Sequence, residues 1–361
     1  MEPTQPRRPF GRRLSRRSLT MVSLLTVAAT ALAGCASGKA SGDTAKATAS
    51  TDGSQGTAKS NGKVSIYVIG GKADDPFWSA IKRGGEDAAK LVKAGGGSVT
   101  FLGPQNYDNL GPDAAKLTQT ALSQNPSAIV VPDWVPDSQD AAIKQAVAKG
   151  VKVFIYNSGG VEAADRTGGI KYIGSDDYEA GKAGGVKFAE AGAKNILCVN
   201  TVPGAANSEA RCKGIADGAK SKGAKSKQLP LPSSNFGNPS AVTQAIKGAL
   251  LKDSGVDALV TIGVQDADSA ASAIDQAKAA DKVQLGTFDL SQSQLDRVKD
   301  GKQLFAIDQQ PYLQGFYAVS MANQYLSYGV LLPQNPILTG PLLVTKDNVD
   351  AAIDGTKAGV R

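Results

Sequence analysis

The sequence predicts an α/β protein with two similar lobes, each a parallel sheet with helices on both faces. From Lys63 onward, short and almost continuously apolar segments alternate with longer amphipathic ones, which is typical of parallel strands buried on both faces. The alternating strand and helix segments are more numerous than a single sheet usually contains. Residues 63–361 are also long enough to bury the cores of two lobes of ordinary size.

The elements follow in order along the chain. The predicted strands are Val64–Ile69, Val99–Leu102, Ala128–Val131, Val151–Tyr156, Tyr172–Ile173, Ile196–Val199, Ala258–Ile262, Val283–Phe288 and Leu304–Ile307. Helical periodicity predicts helices at Phe77–Ala94, Asp113–Ser123, Ser138–Lys149, Tyr178–Ala191 and Asp266–Ala279. None of the turns from strand to helix carries the glycine pattern of a dinucleotide-binding or P-loop site, so the sequence does not support either site.

The first 35 residues have the pattern of an export signal. Six arginines between Arg7 and Arg17 precede an uncharged apolar stretch, Thr20–Leu32, that is too short to span a membrane. The stretch ends in Leu32-Ala33-Gly34-Cys35, which resembles a bacterial lipoprotein processing site and implies that Cys35 is lipidated and becomes the first mature residue. Arg16-Arg17 also resembles a twin-arginine signal, and this route and the general secretory route both remain open.

The charge of the chain lies mostly in this leader. The whole chain carries +7, residues 1–35 carry +5, and the remainder carries +2 (34 Lys and Arg against 32 Asp and Glu). This small excess of positive charge gives no electrostatic reason to expect binding to nucleic acid, and we expect no nucleic-acid partner. Residues 36–62 have no aromatic or large aliphatic residue, which predicts a flexible tether. We expect an exported protein, anchored by lipid to the outer face of the cytoplasmic membrane and monomeric.

Histidine is absent from the chain. Its absence excludes histidine metal ligands and every Ser-His or Cys-His mechanism, and we expect no enzyme, cofactor or metal. Cys198 ends a predicted strand and Cys212 lies in the helix that follows. Because a strand and its next helix pack together, the two are within disulfide reach. The alternative is a pair of small buried hydrophobic side chains.

Polar planar and aromatic side chains recur where the predicted strands end, which is where open α/β sheets bind ligands. Carboxylates and amides hold neighbouring hydroxyls, aromatic faces stack on a sugar's C–H face, and arginine adds a two-pronged donor. This mixture suits a neutral polyhydroxylated ligand rather than a phosphate. The candidate ligand-binding residues are Asp75, Phe77, Trp78, Asp137, Asn157, Asn207, Arg211, Gln265, Asp289 and Gln309.

Several of these residues fall in motifs of one known family. Asp75-Pro76-Phe77-Trp78, Arg211-Cys212-Lys213-Gly214, Phe288-Asp289 and Gln309-Gln310-Pro311 resemble, in order and spacing, ribose- and galactose-type periplasmic binding proteins. The resemblance covers essentially all of residues 63–361. It implies the type I fold and the sugar-binding lipoprotein of an ABC importer. It also implies that Phe77 and Trp78 sandwich a sugar ring, that Arg211, Asp289 and Asp137 anchor it by charge, and that Gln309 and Gln265 anchor it by their amides.

A chain that forms two lobes around a ligand crosses between them more than once, and glycine or proline marks the candidate crossings. Residues 63–158 with 310–338 form the first lobe and residues 159–309 with 339–361 the second, with crossings near 157–160, 309–311 and 338–341.

Asp75 in place of the family's usual asparagine, and Gln265 where asparagine is common, make ribose itself doubtful. A receptor of the same fold that senses a sugar-like signal, polyol or nucleoside is the alternative, since fold does not determine function.

Overall fold

The computed structural model describes residues 63–361. Its strands are β1 Ser65–Ile69, β2 Ser98–Leu102, β3 Ala128–Val131, β4 Lys152–Tyr156, β5 Tyr172–Ser175, β6 Asn195–Asn200, β7 Lys225–Pro230, β8 Ala258–Thr261, β9 Gln284–Phe288, β10 Phe305–Asp308, β11 Ile337–Gly340 and β12 Leu342–Val344. Its helices are α1 Pro76–Ala94, α2 Leu110–Ser123, α3 Pro136–Ala148, α4 Gly160–Thr167, α5 Asp177–Glu190, α6 Ala206–Ser221, α7 Pro239–Lys252, α8 Val264–Gln276, α9 Gln292–Lys299, α10 Pro311–Tyr328 and α11 Val349–Lys357.

The strands form two six-stranded sheets. The first has the order β11-β5-β4-β3-β1-β2 and the second the order β12-β10-β9-β8-β6-β7. All pairs are parallel except β10 with β12. We call each sheet with the helices packed on it a lobe. This architecture confirms the predicted fold class.

Alternate residues of each central strand build a core on each face of the sheet. In β1, Ile66 and Val68 pack toward α1 and α10, whereas Ile69 packs toward α2, α3 and α4. The second lobe repeats this arrangement, with α5 and α6 on one face and α7 and α8 on the other. Burial on both faces explains why the central strands are continuously apolar in sequence.

The second lobe carries a disulfide bond. Cys198 in β6 and Cys212 in α6 are joined, with their Cα atoms 5.7 Å apart. Both residues are buried in the core between the sheet and α6. The helix is therefore fixed to the sheet by a covalent bond as well as by packing.

The chain passes between the two sheets three times. The passages follow β5 at Ser175, follow β10 at Asp308, and lie between β11 and β12 at Pro341. The crossing expected near residues 157–160, and the lobe boundary expected after residue 158, are wrong because β5 pairs with β4 and extends the first sheet. The two-residue apolar run Tyr172–Ile173 gave too weak a signal to show this.

The structure bears on membrane association only within the described residues. No helix within residues 63–361 has both the length and the apolar character needed to cross a bilayer. The export signal, Cys35 and the tether at residues 36–62 lie outside the described residues.

Candidate functional site

A cavity lies between the lobes, at the carboxyl ends of the strands. The first lobe contributes Phe77, Trp78, Tyr107, Leu110, Trp134 and Asn157. The second contributes Val202, Ala205, Asn207, Ser208, Arg211, Phe236, Ile262, Gly263, Gln265 and Asp289, and Gln309 lies at the crossing after β10.

The aromatic wall comes from the start of α1. Asp75 caps this helix, accepting a hydrogen bond from the Phe77 amide at 2.9 Å, and Pro76 occupies the first turn. The Trp78 ring packs edge-on against Trp134 at 5.5 Å between centroids. Gly71 makes this packing possible, because a Cβ there would lie 2.1 Å from Trp78 Nε1.

Arg211 is the central charged group of the cavity. It is almost fully buried in the first half of α6. Its Nε donates to Asp177 Oδ1 at 2.7 Å, Nη1 to the Ile262 carbonyl at 2.6 Å and Nη2 to Gln309 Oε1 at 2.9 Å. Three of its five N–H groups are thus committed to the protein, and two remain for a ligand.

The pKa values of the acids around Arg211 reflect their burial. Burial raises the pKa of Asp289 to about 7, although Arg211 and the amide of Gln309 act in the opposite direction. Burial likewise raises the pKa of Asp177 to about 6 despite its ion pair with Arg211. The cavity is therefore an environment of low polarity in which an ionised carboxylate needs further hydrogen-bond donors.

Asp289 and Asn157 have unusual backbone conformations at the ends of their strands. Their φ angles are +66° and +60°, in the left-handed region that Asn and Asp tolerate better than most residues. Asn157 Nδ2 donates to Gln314 Oε1 at 3.1 Å, whereas Asn157 Oδ1 has no partner among the described residues. Asn207 Oδ1, on the α6 side of the cavity, is also buried without a described partner. Both oxygens are thus able to accept a hydrogen bond from a molecule in the cavity.

Most of the sequence-predicted residues meet at this cavity. Phe77, Trp78, Asn157, Asn207, Arg211, Gln265, Asp289 and Gln309 all line it. Asp75 stands one layer behind, where its Oδ2 accepts from the Tyr107 hydroxyl at 3.0 Å. Burial raises the pKa of Asp75, and the hydrogen bonds from Tyr107 and Phe77 offset part of that rise.

Asp137 does not line the cavity. It lies exposed in the first turn of α3. The buried acid of this segment is Asp133, which pairs with Arg166 at 2.5 Å, away from the cavity. The segment supplies Trp134 to the cavity instead, because its backbone amide and that of Val135 are held by Gln139 Oε1 at 2.9 Å.

Sequence reasoning missed Tyr107 and Phe236, which pack edge-on at 4.7 Å between centroids. Tyr107 follows β2, the strand end whose turn was not considered. Phe236 follows a short 3-10 turn, Ser233–Asn235, after a strand that was not predicted. An aromatic residue within an otherwise polar loop was the available signal.

The comparisons with known proteins agree with this geometry. Residues 66–329 match the family model described as a periplasmic binding protein domain. The chain belongs to the periplasmic binding protein family. Membership implies an exported protein. Among residues 63–361, no cluster of three acidic or cysteine side chains is placed to hold a metal ion.

Three relatives illustrate the likeness of this periplasmic binding protein to others. The xylose/arabinose-binding protein XylF of Sulfolobus acidocaldarius is 25% identical over 319 residues, covering 79% of this chain and 71% of that one. A carbohydrate transporter structure from Acidothermus cellulolyticus 11B, in complex with myo-inositol, is 28% identical with a TM-score of 0.75, covering 83% and 100%. The glucose-galactose binding protein GanP of Geobacillus stearothermophilus shares the fold at 18% identity and a TM-score of 0.69, covering 79% and 98%.

Proposed function

We propose that this protein captures a monosaccharide or related polyol between its two lobes and delivers it to an ABC permease. The observation that carries the proposal is the cavity between the sheets, where an aromatic wall from one lobe faces Arg211 and Asp289 of the other. The protein is a carrier and not an enzyme, and it needs no cofactor.

The chemistry of the cavity favours a neutral ligand. Arg211 and Asp289 are the charged residues among those that line it, and Asp177 pairs with the arginine from behind. An anionic ligand would find no uncompensated cation, and a cationic one would lie against Arg211. Hydroxyl groups, by contrast, both donate to Asp289, Asn157 and Asn207 and accept from Arg211.

The aromatic wall adds selectivity for a ring. Phe77 and Trp78 lie at adjacent positions of α1, with their rings at 82° to each other. Apolar C–H faces of a pyranose or an inositol pack on such rings while their hydroxyls reach the polar side. The relatives whose names include xylose, arabinose and myo-inositol, all neutral polyhydroxylated rings, agree with this class.

Contacts between the lobes close over the cavity. The Ala206 amide of the second lobe donates to the Trp134 carbonyl of the first at 2.7 Å. Tyr107 and Phe236 meet across the same gap. A ligand that touches both lobes stabilises this closed arrangement over an open one by its differential affinity. Closure then presents both lobes together to the permease as the signal of a loaded carrier.

We further propose that lipidated Cys35 anchors the protein outside the cytoplasmic membrane, with residues 36–62 as the spacer. Changing Cys35 to Ala then releases the protein from the membrane fraction. A Cys35→Ala variant that fractionates with membranes as the wild type does contradicts the anchor.

The test measures the stability of the exported Cys35→Ala chain against unfolding, with and without each member of a panel of ligands. The panel contains pentoses, hexoses, inositols, acyclic polyols and nucleosides. A ligand that binds only the folded state raises the free energy of unfolding by about 2.7 kcal/mol at a hundredfold excess over Kd. Stabilisation by a sugar or polyol supports the proposal, and stabilisation by nucleosides alone overturns it. Uptake of that ligand by cells that lack the protein separates import from sensing. Such cells lose uptake if the protein is a carrier and keep it if the protein is a sensor.

A further inference from the structure

One end of the first lobe differs in character from the rest of the surface. The strands β1, β2, β3, β4 and β5 are parallel, so their amino ends share one edge, opposite the cavity. The chain from the proposed tether enters the lobe at this edge, since Lys63 directly precedes β1. We define the end surface by the loops and helix ends at this edge.

The charged residues of the end surface are basic, except for the exposed Asp165 in the last turn of α4. The loops at residues 63–64, 95–97, 124–127, 149–151 and 168–171 contain no acidic residue. Lys63, Lys93, Lys149 and Lys152 lie exposed or partly exposed there. None of these four lysines forms an ion pair with an acid among the described residues.

The same edge exposes large apolar side chains. Tyr328 at the end of α10, and Val330 and Leu332 after it, are 72%, 57% and 48% exposed. The following loop is held to this edge, because Lys171 Nζ donates to the Gln334 carbonyl at 2.8 Å and Asn335 Oδ1 accepts from the Tyr172 amide at 3.0 Å. Leu91, in the last turn of α1, is 59% exposed. Apolar side chains beside unpaired lysines are the composition of surfaces that lie on lipid headgroups.

The second lobe provides an internal comparison. Its corresponding edge mixes lysines with acids, namely Glu190, Asp253, Asp257, Asp281, Asp300 and Asp347. Two of these form ion pairs, Glu190 with Lys222 at 2.8 Å and Asp253 with Lys227. The first edge carries a single acid at its helix ends and loops, so the predominantly basic edge is a property of the lobe at which the tether enters.

The geometry points to a membrane-docking surface: the end surface of the first lobe rests on the anionic outer leaflet to which Cys35 holds the protein. The inference rests on the proposed anchor. Only 27 residues separate Cys35 from Lys63 in the sequence, so this edge is the part of the described structure that is nearest to the proposed anchor along the chain. Basic residues within a Debye length of an anionic surface attract it, and the apolar side chains enter the headgroup layer.

The test uses the exported full chain with Cys35→Ala, so that the lipid does not contribute. We expect it to float with vesicles of phosphatidylcholine and phosphatidylglycerol (about 3:1), to bind vesicles of phosphatidylcholine alone at least tenfold more weakly, and to be released by high salt. Equal binding to both compositions, or to neither, overturns the proposal.

Variants locate the surface. Changing Lys63, Lys93, Lys149 and Lys152 to Gln lowers vesicle binding at least tenfold, and changing Tyr328, Val330 and Leu332 to Ser also lowers it. The matched control changes Lys194, Lys225, Lys252 and Lys278 of the second lobe to Gln, with the same loss of charge. The proposal is overturned if the control variant loses as much vesicle binding as the lysine variant. It is also overturned if the protein dimerises in a concentration-dependent way and the serine variant of Tyr328, Val330 and Leu332 abolishes that dimerisation. Unchanged sugar affinity in all three variants distinguishes failure of docking from failure of the proposed function.

Discussion

The side chains of Arg211 and Asp177 form a buried ion pair, with Nε donating to Oδ1 at 2.7 Å. The two residues belong to α6 and α5 of the same lobe. The pair holds the guanidinium plane in one orientation, while Ile262 and Gln309 bind two further donors. An arginine so fixed loses little entropy when a ligand arrives, which is an advantage for binding a small neutral molecule.

The first prediction concerns the charged anchors of the cavity. Arg211→Ala and Asp289→Ala abolish detectable sugar binding, because each leaves buried partners unpaired at about 1–3 kcal/mol per lost hydrogen bond, and more for charged groups. The measurement is isothermal titration calorimetry, with circular dichroism to verify the fold. Asp268→Asn, an exposed acid outside the cavity, is the control and retains affinity. Wild-type affinity in both anchor variants refutes the site.

The second prediction concerns the aromatic wall. Trp78→Ala lowers sugar affinity about tenfold or more, since stacking contributes about 0.5–1.5 kcal/mol beyond the area it buries. Trp78→Phe keeps a ring and loses less. Because Trp78 is 9% exposed and packs against Trp134, the alanine variant also melts at a lower temperature. Equal affinities of the Ala and Phe variants contradict the stacking role.

The third prediction concerns pH. Burial raises the pKa of Asp289 to about 7, and hydroxyls that donate to its carboxylate favour the ionised form. Sugar affinity therefore rises from pH 5 to pH 8, by up to about tenfold per pH unit below the pKa, with release of a proton. Calorimetry in buffers of different ionisation enthalpy measures that proton. Asp289→Asn removes the dependence between pH 6 and 8; an unchanged profile in this variant would assign the titration elsewhere.

The same carboxyls affect the stability of the unliganded protein. Burial raises the pKa of Asp289 and of Asp266 to about 7, above the ordinary value of 3.8. Between these two values the folded state binds more protons than the unfolded state, so their contribution to the free energy of unfolding falls as the pH rises. Above pH 7 the full unfavourable contribution is present, and a bound sugar offsets part of it at Asp289.

The fourth prediction concerns the disulfide. Cys198 and Cys212 close a loop with a sequence separation of 14, and a loop of this size stabilises a protein by about 3 kcal/mol in the chain-entropy model. The variant with both cysteines changed to Ala therefore unfolds at lower denaturant concentration. Titration of the denatured, unreduced exported chain should find neither thiol free, and two reactive thiols there would disprove the bond.

The sequence predicted the parts of the fold that burial determines. The central strands, such as Ala128–Val131, are apolar on both faces and were identified to within a residue or two. The edge strand β7, Lys225–Pro230, is largely exposed and has no apolar pattern, so nothing in its composition indicated a strand. Strands β11 and β12 are also edge strands, of only four and three residues.

The candidate site was predictable where a residue follows a strand and less so elsewhere. Asp289 and Gln309 follow β9 and β10 directly, and both line the cavity. Asp137 was wrong because sequence position does not tell which face of the first turn of α3 meets the cavity. Phe236 enters from a loop, and its contact with Tyr107 joins positions 129 residues apart. Such contacts depend on how the two lobes meet, which local sequence does not encode.

The central claim is that two lobes close around the sugar, and small-angle X-ray scattering tests it most directly. Contacts such as Ala206 with Trp134 join the lobes beside the cavity, and they are the ones that opening must break. The exported Cys35→Ala chain should show a smaller radius of gyration at saturating concentrations of the identified sugar than without it. The Asp289→Ala variant should show no change under the same conditions. If the chain that keeps Asp289 has the same radius of gyration with and without sugar, closure is contradicted, and so is the carrier mechanism that depends on it.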